Sequence, residues 1–181
     1  MQELYISSDG ETAAYPRYYR QSLDKLKREQ RKLSRCQKGS KNRSKQRLKV
    51  AQLHEKVTNQ RKDFLHKQSR QITNAVDAVC IEDLNMKGMS QALNFGKSVS
   101  DTAFGTFVRM LDYKLKEQGK QLIKIDKWYP SSKLCSSCGE AKKTLDLSER
   151  TYHCEACGAV INRDYNASIN IRREGMRLLL A

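Results

Sequence analysis

The sequence contains no run of eighteen apolar residues, and it does not begin with the charged and apolar regions of a secretory signal. We therefore expect a chain without a transmembrane helix that works in the cytoplasm, where cysteines stay reduced. Internal repeats and low-complexity tails are also missing. Apolar residues make up 38% of the 181 positions and charged residues 30%. This composition predicts one domain with a modest core, or one domain and a small metal-binding module.

Acidic residues are scarce between residues 17 and 70, where there are four Asp and Glu but nineteen Lys and Arg. The rest of the chain has sixteen residues of each sign, so the whole net charge of +15 lies in this block. A solvated basic surface would account for an ordinary run of charge. The size and concentration of this one favour a polyanion partner, because Lys and Arg displace the counterions that condense on nucleic acid.

Four of the six cysteines form two Cys-x-x-Cys pairs, Cys135 with Cys138 and Cys154 with Cys157, separated by fifteen residues. This spacing matches a four-thiolate zinc site, and tetrahedral Zn²⁺ prefers such soft ligands. Each pair is followed by a glycine, which tolerates the left-handed backbone of a tight turn. Four unrelated free thiols are the alternative. A closed four-cysteine site is structural, so we expect Zn²⁺ to fold this segment and the chemistry to lie elsewhere.

Two segments of the basic block have helical periodicity and predict a hairpin. The first spans 17–36 and the second about 43–74, with a break at 37–42. Their apolar stripes are narrow, so we expect the helices to pack against each other with Lys and Arg outward. A self-standing antiparallel coiled coil is the simpler interpretation, but we favour a nucleic-acid-binding arm. Its expected contact residues are Arg28, Arg31, Lys32, Arg35, Lys38, Lys41, Arg43, Lys45 and Arg47.

A mostly apolar segment, 75–81, predicts a buried strand that ends at Glu82 and Asp83. Metal ligands of α/β active sites collect at the carboxyl ends of such strands. Acids at this position also serve simply to end a strand, and from this segment alone that reading would be preferred. An earlier short strand, from Glu3 to Ser7, is followed by a turn at 8–10.

The second half of the chain predicts a crossover unit. A helix from Asp101 to about Gln118, capped by Ser100 and ended by Gly119, precedes a strand at 121–125. The order strand, helix, strand favours parallel pairing of the two strands.

A last helix runs from Asp164 to about Arg173, just beyond the second cysteine pair. Taken alone, Asp164 is a helix N-cap or a first-turn acid.

Three segments together resemble the TnpB family, the OrfB-type proteins of bacterial and archaeal insertion sequences, which are similar to the nuclease half of type V CRISPR effectors. They are Ile81-Glu82-Asp83-Leu84-Asn85, the cysteine pairs introduced by Tyr129-Pro130-Ser131-Ser132-Lys133, and Asn162-Arg163-Asp164-Tyr165-Asn166-Ala167-Ser168. The basic hairpin also resembles this family. The match extends over nearly the whole chain and in the right order.

The resemblance implies an α/β fold, an RNase H-like (RuvC) domain that here lacks its first strand. Residues 1–127 would form this partial domain with the basic hairpin 17–74, 128–161 an inserted zinc ribbon, and 162–181 the final helix. In the family, three carboxylates hold two Mg²⁺ ions, and the enzyme cuts DNA at sites chosen by a guide RNA. By the resemblance, the middle carboxylate is Glu82 and the last is Asp164.

The sequence departs from the family at the first carboxylate, which lies on a strand before the turn at 8–10. The chain begins too late to include it, and neither Glu3 nor Asp9 is in the equivalent place. We therefore expect this polypeptide alone not to cut DNA appreciably; a shortened gene and an internal start both remain open. A non-catalytic nucleic-acid-binding protein is the competing function. A zinc ribbon of the translation or transcription machinery would leave the acidic segments unexplained.

Overall fold

The computed structural model describes residues 3–84, 103–146 and 148–181. Along these ranges the elements are β1 (Glu3–Ile6), β2 (Thr12–Ala14), α1 (Tyr18–Arg35), α2 (Lys41–Ala75), β3 (Ala78–Glu82), α3 (Phe104–Glu117), β4 (Gln121–Ile125), β5 (Thr151–His153), β6 (Val160–Asn162) and α4 (Arg163–Leu179). None of the described helices is both long and apolar enough to cross a membrane.

Helices α1 and α2 pack against each other as the predicted hairpin. Leu26 of α1 and Val50 and Val57 of α2 are buried, while most of the surrounding positions are exposed. Helix α2 begins two residues earlier than expected because Ser40 caps it, accepting a hydrogen bond from the backbone N–H of Arg43 at 3.2 Å. The narrow apolar stripe thus buries one seam and leaves the basic side chains in solvent.

The described strands form three separate two-stranded sheets. Strands β3 and β4 are parallel, with Ala78 opposite Gln121 and Glu82 opposite Ile125, which confirms the predicted crossover unit. β1 pairs with β2 and β5 with β6, both antiparallel. The predicted start of β3 was wrong by three residues, because α2 continues through Ala75, a strong helix former.

Helix α3 carries the connection between β3 and β4. It begins at Phe104, and the predicted cap Ser100 and first residue Asp101 lie outside the described residues. Gly119 follows the helix with φ of +69°, a left-handed conformation that glycine adopts without strain, so the predicted end is confirmed.

The main core lies between the helices α2 and α3 and the strands. It joins Leu4 and Ala13 of the β1–β2 hairpin to Leu65 of α2 and Phe107 and Leu111 of α3. Half-buried side chains of β3 and β4 pack against the same cluster. Helix α4 contacts β1, β3 and β4. Strands β3 and β4 therefore have helices α2 and α3 against one face and α4 against the other.

Successive side chains of β3 point to opposite faces of the strand. Val79 packs against the main core, whereas the next residue, Cys80, lies against Gly175 of α4. An added Cβ at Gly175 would stand 2.2 Å from Cys80 Sγ and 2.6 Å from Cys80 Cβ. The absence of a side chain at Gly175 therefore sets how closely α4 approaches β3.

We expect Gly175→Ala to destabilise the protein by about 1–3 kcal/mol, because the new methyl group meets a Cβ that cannot rotate away. Thermal unfolding of the two proteins measures the effect. Gly105→Ala is the matched control, since nothing lies within 4 Å of its added Cβ and it should unfold at or slightly above the original temperature. Equal behaviour of the two variants would contradict the close packing of α4 on β3.

Candidate metal centre and acidic site

The four predicted cysteines come together within residues 131–162. Their Sγ atoms all lie within 4.8 Å of one another. The Sγ atoms of Cys135 and Cys157 are 3.7 Å apart, and those of Cys138 and Cys154 are 3.6 Å apart. One cysteine of each pair is buried and the other is exposed. Four soft donors at this separation could hold a metal ion, and the set is compatible with tetrahedral Zn²⁺.

Tight turns place both pairs in the same way. The backbone N–H of Gly139 donates to the Cys135 carbonyl at 2.9 Å, and that of Gly158 donates to the Cys154 carbonyl at 3.0 Å. The two glycines have φ of +80° and +73°, the left-handed region in which other residues are strained. The glycine that follows each predicted pair thus has the conformational role expected from the sequence.

Burial, backbone N–H groups and neighbouring sulfurs shift the pKa values of Cys135 and Cys138 in opposite directions. Burial of Cys135 opposes its thiolate, but hydrogen bonds from the backbone N–H groups of Cys138 and Ser137 lower its pKa to about 6. A backbone hydrogen bond from Glu140 favours the Cys138 thiolate, yet the neighbouring sulfurs, Cys157 first, raise its pKa to about 12. The Cys135 thiolate therefore forms more easily than the Cys138 thiolate. A divalent cation removes this conflict, because it binds deprotonated thiols and compensates their charge.

Helix α4 holds the first cysteine turn through two buried asparagines. Asn166 accepts from the backbone N–H of Ser136 at 2.8 Å and donates to the Leu134 carbonyl at 2.7 Å. Asn170, one turn further, donates to the carbonyls of Leu134 at 2.8 Å and Ser131 at 2.9 Å. Our sequence reasoning gave these asparagines no role. The available signal was two amides at i and i+4, which share one face of a helix.

Glu82 is the last residue of β3, at the carboxyl end of the strand as predicted. It is half-buried, as are the other residues of β3, so the prediction of a buried strand was wrong. Its carboxylate accepts a hydrogen bond from the Ser131 hydroxyl. Ser131 is buried, and Asn170 of α4 binds its carbonyl. A continuous set of hydrogen bonds therefore joins α4, the entry to the cysteine turn and Glu82.

Asp164 lies in the first turn of α4, and its side chain is 51% exposed. The N-cap is Asn162, whose side chain accepts from the N–H groups of Asp164 and Tyr165, both at 3.0 Å. Asp164 is thus a first-turn acid rather than a cap. Its carboxylate lies 3.4 Å from Arg163 Nε and 4.0 Å from Arg150.

The two predicted catalytic acids belong to elements in contact, since α4 packs on β3. Within residues 3–84, 103–146 and 148–181, the cysteine cluster is the one group of three or more His, Cys, Asp or Glu side chains close enough to hold a metal ion. Glu82 and Asp164 do not belong to such a group. Their part in a magnesium site stays a prediction.

Eight of the nine predicted nucleic-acid contacts are exposed, and Arg43 differs from them. Its guanidinium donates to the carbonyls of Leu33 at 3.0 Å and Cys36 at 3.2 Å, at the end of α1. Arg43 therefore ties the turn of the hairpin and satisfies two carbonyls that a helix end leaves open. Charge patterning could not distinguish this structural arginine from its neighbours.

Glu29 joins the two helices of the hairpin and modifies the charge of α1. Its carboxylate accepts from Gln46 Nε2 at 2.7 Å and from Lys32 Nζ at 2.9 Å. The hydrogen bond from Gln46, followed by that from Lys32, lowers the pKa of Glu29 to about 2, so the group is ionised at neutral pH. Glu29 also lies 3.6 Å from Arg28. Lys32 and Arg28 are consequently less available to an external anion than Lys41, Lys45 or Arg47, three of the exposed cations of α2.

Known proteins resemble both halves of the chain. A family model described as "Probable transposase" (OrfB_IS605) matches residues 1–93, more than half of the chain. The chain belongs to the OrfB/TnpB family. A second model, described as "Cas12f1-like, TNB domain", matches residues 104–171, which include the cysteine cluster.

Relatives match the OrfB/TnpB chain nearly from end to end. A Streptomyces pristinaespiralis protein named "Putative RNA-guided DNA endonuclease" is 41% identical over 173 residues, covering 96% of this chain and 43% of that protein. The Escherichia coli protein InsQ, which carries the same description, is 30% identical over 192 residues, covering 98% of this chain and 48% of that protein. The chain spans less than half the length of these relatives.

A solved structure is similar in fold. The cryo-EM structure of a Cas12f1–sgRNA–target DNA complex matches with a TM-score of 0.60 at 21% sequence identity, over 89% of this chain and 43% of that chain. The similarity confirms the mixed α/β class.

Proposed function

We propose that this chain is the nuclease part of an RNA-guided DNA endonuclease of the TnpB type, which cleaves phosphodiester bonds. The observation that carries the proposal is that β3 ends at Glu82 while α4, which packs on that strand, begins beside Asp164. The names of the relatives and the similarity to Cas12f1 support it. DNA and a guide RNA are the corresponding partners.

The donor chemistry of this site suits Mg²⁺. Carboxylate oxygens are the hard ligands that Mg²⁺ prefers, with substrate phosphate completing its shell. When bound, a pair of such ions would activate water and stabilise the leaving oxygen. The Ser131 hydroxyl binds one oxygen of Glu82 and so fixes how the carboxylate is turned. Arg150 and Arg163 hold Asp164 and would yield to the cation.

We further propose an RNase H-like organisation, with 1–127 as the main domain, 128–161 as a zinc ribbon and 162–181 as the final helix. The parallel β3–β4 pair and the helices on both faces of the strands support the first part. The cysteine cluster and the β5–β6 hairpin support the second.

We expect removal of three exposed cations, Lys41→Gln, Lys45→Gln and Arg47→Gln, to weaken DNA and RNA binding equally for all sequences. Each phosphate contact that is lost reduces the number of counterions released on binding. The slope of log K against log salt should therefore become less negative by about 0.9 per lost contact on duplex DNA. Fluorescence anisotropy over a salt series measures both effects. The control removes Lys116, Lys143 and Arg177, three exposed cations outside the block, and should bind as before. Binding whose affinity did not change with salt would contradict the proposal that the basic hairpin binds nucleic acid.

Cleavage is tested by grafting. The chain replaces the matching segment of the Streptomyces pristinaespiralis relative, and the hybrid receives the guide and target that the parent uses. We expect Mg²⁺-dependent cutting at the guided site. The nuclease role would be rejected if the parent protein cut the target but the folded hybrid did not cut it with any divalent metal.

A non-catalytic nucleic-acid-binding protein is the second candidate. It is favoured by one observation, that among the described residues the cysteines alone form a metal-holding group. Binding without cutting in the graft would establish it.

A further inference from the structure

Trp128 is the single tryptophan of the chain, and it is 80% exposed. Most other aromatic side chains of the described residues pack in the core, such as Tyr5 against Phe107 and Tyr15 against Phe64. A large apolar ring in solvent contributes little to the packing of the described residues, and tryptophan is enriched where proteins bind partners.

The turn that carries Trp128 is well built. The carboxylate of Asp126 accepts from the Trp128 backbone N–H at 2.7 Å, and the Asp126 carbonyl accepts from the Tyr129 N–H at 3.1 Å. The Tyr129 carbonyl in turn accepts from the Ser131 N–H at 2.8 Å. The backbone under the indole is therefore fixed, so the ring is presented to solvent by a preorganised support and little order would be lost on binding.

This turn lies beside Glu82, the middle acid of the proposed magnesium site, here called the acidic site. It follows Ile125, the register partner of Glu82, and it ends at Ser131, whose hydroxyl binds the Glu82 carboxylate. A cation also lies at the ring, because Lys127 Nζ stands 5.0 Å from the centre of the indole. A flat π-surface with a cation above it suits a ligand that has both a flat base and a phosphate.

We propose that Trp128 is a stacking platform for an unpaired nucleobase next to the acidic site, with Lys127 contacting the adjoining phosphate. The inference rests on the polynucleotide-binding part of the proposed function and not on cleavage. It gives the site a means of holding a strand in an unstacked form, since base–aromatic stacking is independent of sequence.

Because Trp128 is the only tryptophan, its fluorescence reports on this position alone. The protein is titrated with a single-stranded oligo-dT of twelve nucleotides and with an abasic strand of equal length and charge. We expect strong quenching by oligo-dT and little by the abasic strand, while anisotropy with labelled strands shows that both bind. Raising the salt should weaken binding but leave the quenching at saturation unchanged.

Variants separate stacking from charge. Trp128→Ala should weaken oligo-dT binding about 5- to 150-fold, with no change for the abasic strand, and Trp128→Phe should lose about 3-fold or less. Tyr113→Ala, which removes a 40% exposed ring on α3, is the control and should bind as the original protein. Equal quenching by both strands, or undiminished oligo-dT binding by Trp128→Ala, would overturn the proposal. If the fluorescence spectrum changed with protein concentration in the absence of DNA, the ring would be assigned to self-association, which would also overturn the proposal.

The outcome is independent of catalysis. Quenching in a protein whose graft does not cut would leave the stacking role intact and reject the nuclease role. Cutting without base-dependent quenching would leave the nuclease role intact and reject the stacking role.

Discussion

Replacing Cys135 with serine is expected to abolish stoichiometric zinc binding and to unfold residues 131–162. Cys135 is fully buried, and its Sγ is one of the four that lie within 4.8 Å of one another. A hydroxyl is a poor ligand for Zn²⁺, and structural zinc sites in small modules contribute about 10–16 kcal/mol of folding free energy. Metal analysis of the purified protein and amide chemical shifts of the ribbon measure the two losses.

The matched control for this prediction is Cys36→Ser. Cys36 is half-buried at the end of α1, where its thiol donates to the Lys32 carbonyl. It should keep one zinc per chain and an unchanged ribbon. A Cys135→Ser protein that retained both would show that the four thiols hold no structural metal.

Replacing Glu82 with glutamine is expected to reduce cleavage by the grafted protein at least about 100-fold. The amide keeps the shape and can still accept from Ser131, but it removes the charge of the proposed metal ligand, which would be worth several kcal/mol in the transition state. Single-turnover cleavage at saturating Mg²⁺ measures the loss. Glu82→Gln should also raise the Mg²⁺ concentration needed for half-maximal rate.

Asp83→Asn controls for this change. Asp83 is the neighbouring residue, but its side chain is 59% exposed and pairs with Lys124 at 3.1 Å on the surface. Such surface pairs contribute little, so cleavage should stay near the original rate. If Asp83→Asn were as damaging as Glu82→Gln, the assignment of the middle acid would be wrong.

Asp164→Asn completes the test of the acids. Since Asn162 caps α4, losing the Asp164 charge should cost the helix only about 0.3–1 kcal/mol. A loss of cleavage comparable to that of Glu82→Gln, with a nearly unchanged unfolding temperature, would separate a role in metal binding from a role in folding.

Local features of the sequence were sufficient to predict the four helices, strands β1, β3 and β4, and the cysteine cluster, whereas strands β5 and β6 were not predicted. Strand β4 has the bounds that its apolar run predicted. The thiols were predictable because Cys-x-x-Cys followed by glycine specifies a turn, and two such turns specify a site. The junction between α2 and β3 was not, since Ala75 is compatible with either element and the packing decides.

Contacts between distant segments could not be predicted from the sequence. The Ser131 hydroxyl meets Glu82 across 49 positions of sequence. Arg43 reads as one more cation in a basic block, and only the position of the α1 carboxyl end shows that it ties a turn. The amides of Asn166 and Asn170 look out of place in a packing helix until the cysteine turn supplies their partners.

The two asparagines have a consequence for how the ribbon tolerates change. Its first turn is fastened to the first half of α4 through Asn166 and Asn170, and its last strand, β6, runs directly into the start of the same helix. Both ends are thus anchored on one support, whereas Lys143 and Thr144, in between, are exposed. Added length at this tip would extend into solvent without moving either acid. The tip is therefore where homologues can differ in size and where a reporter or a second binding module can be inserted with the least disturbance.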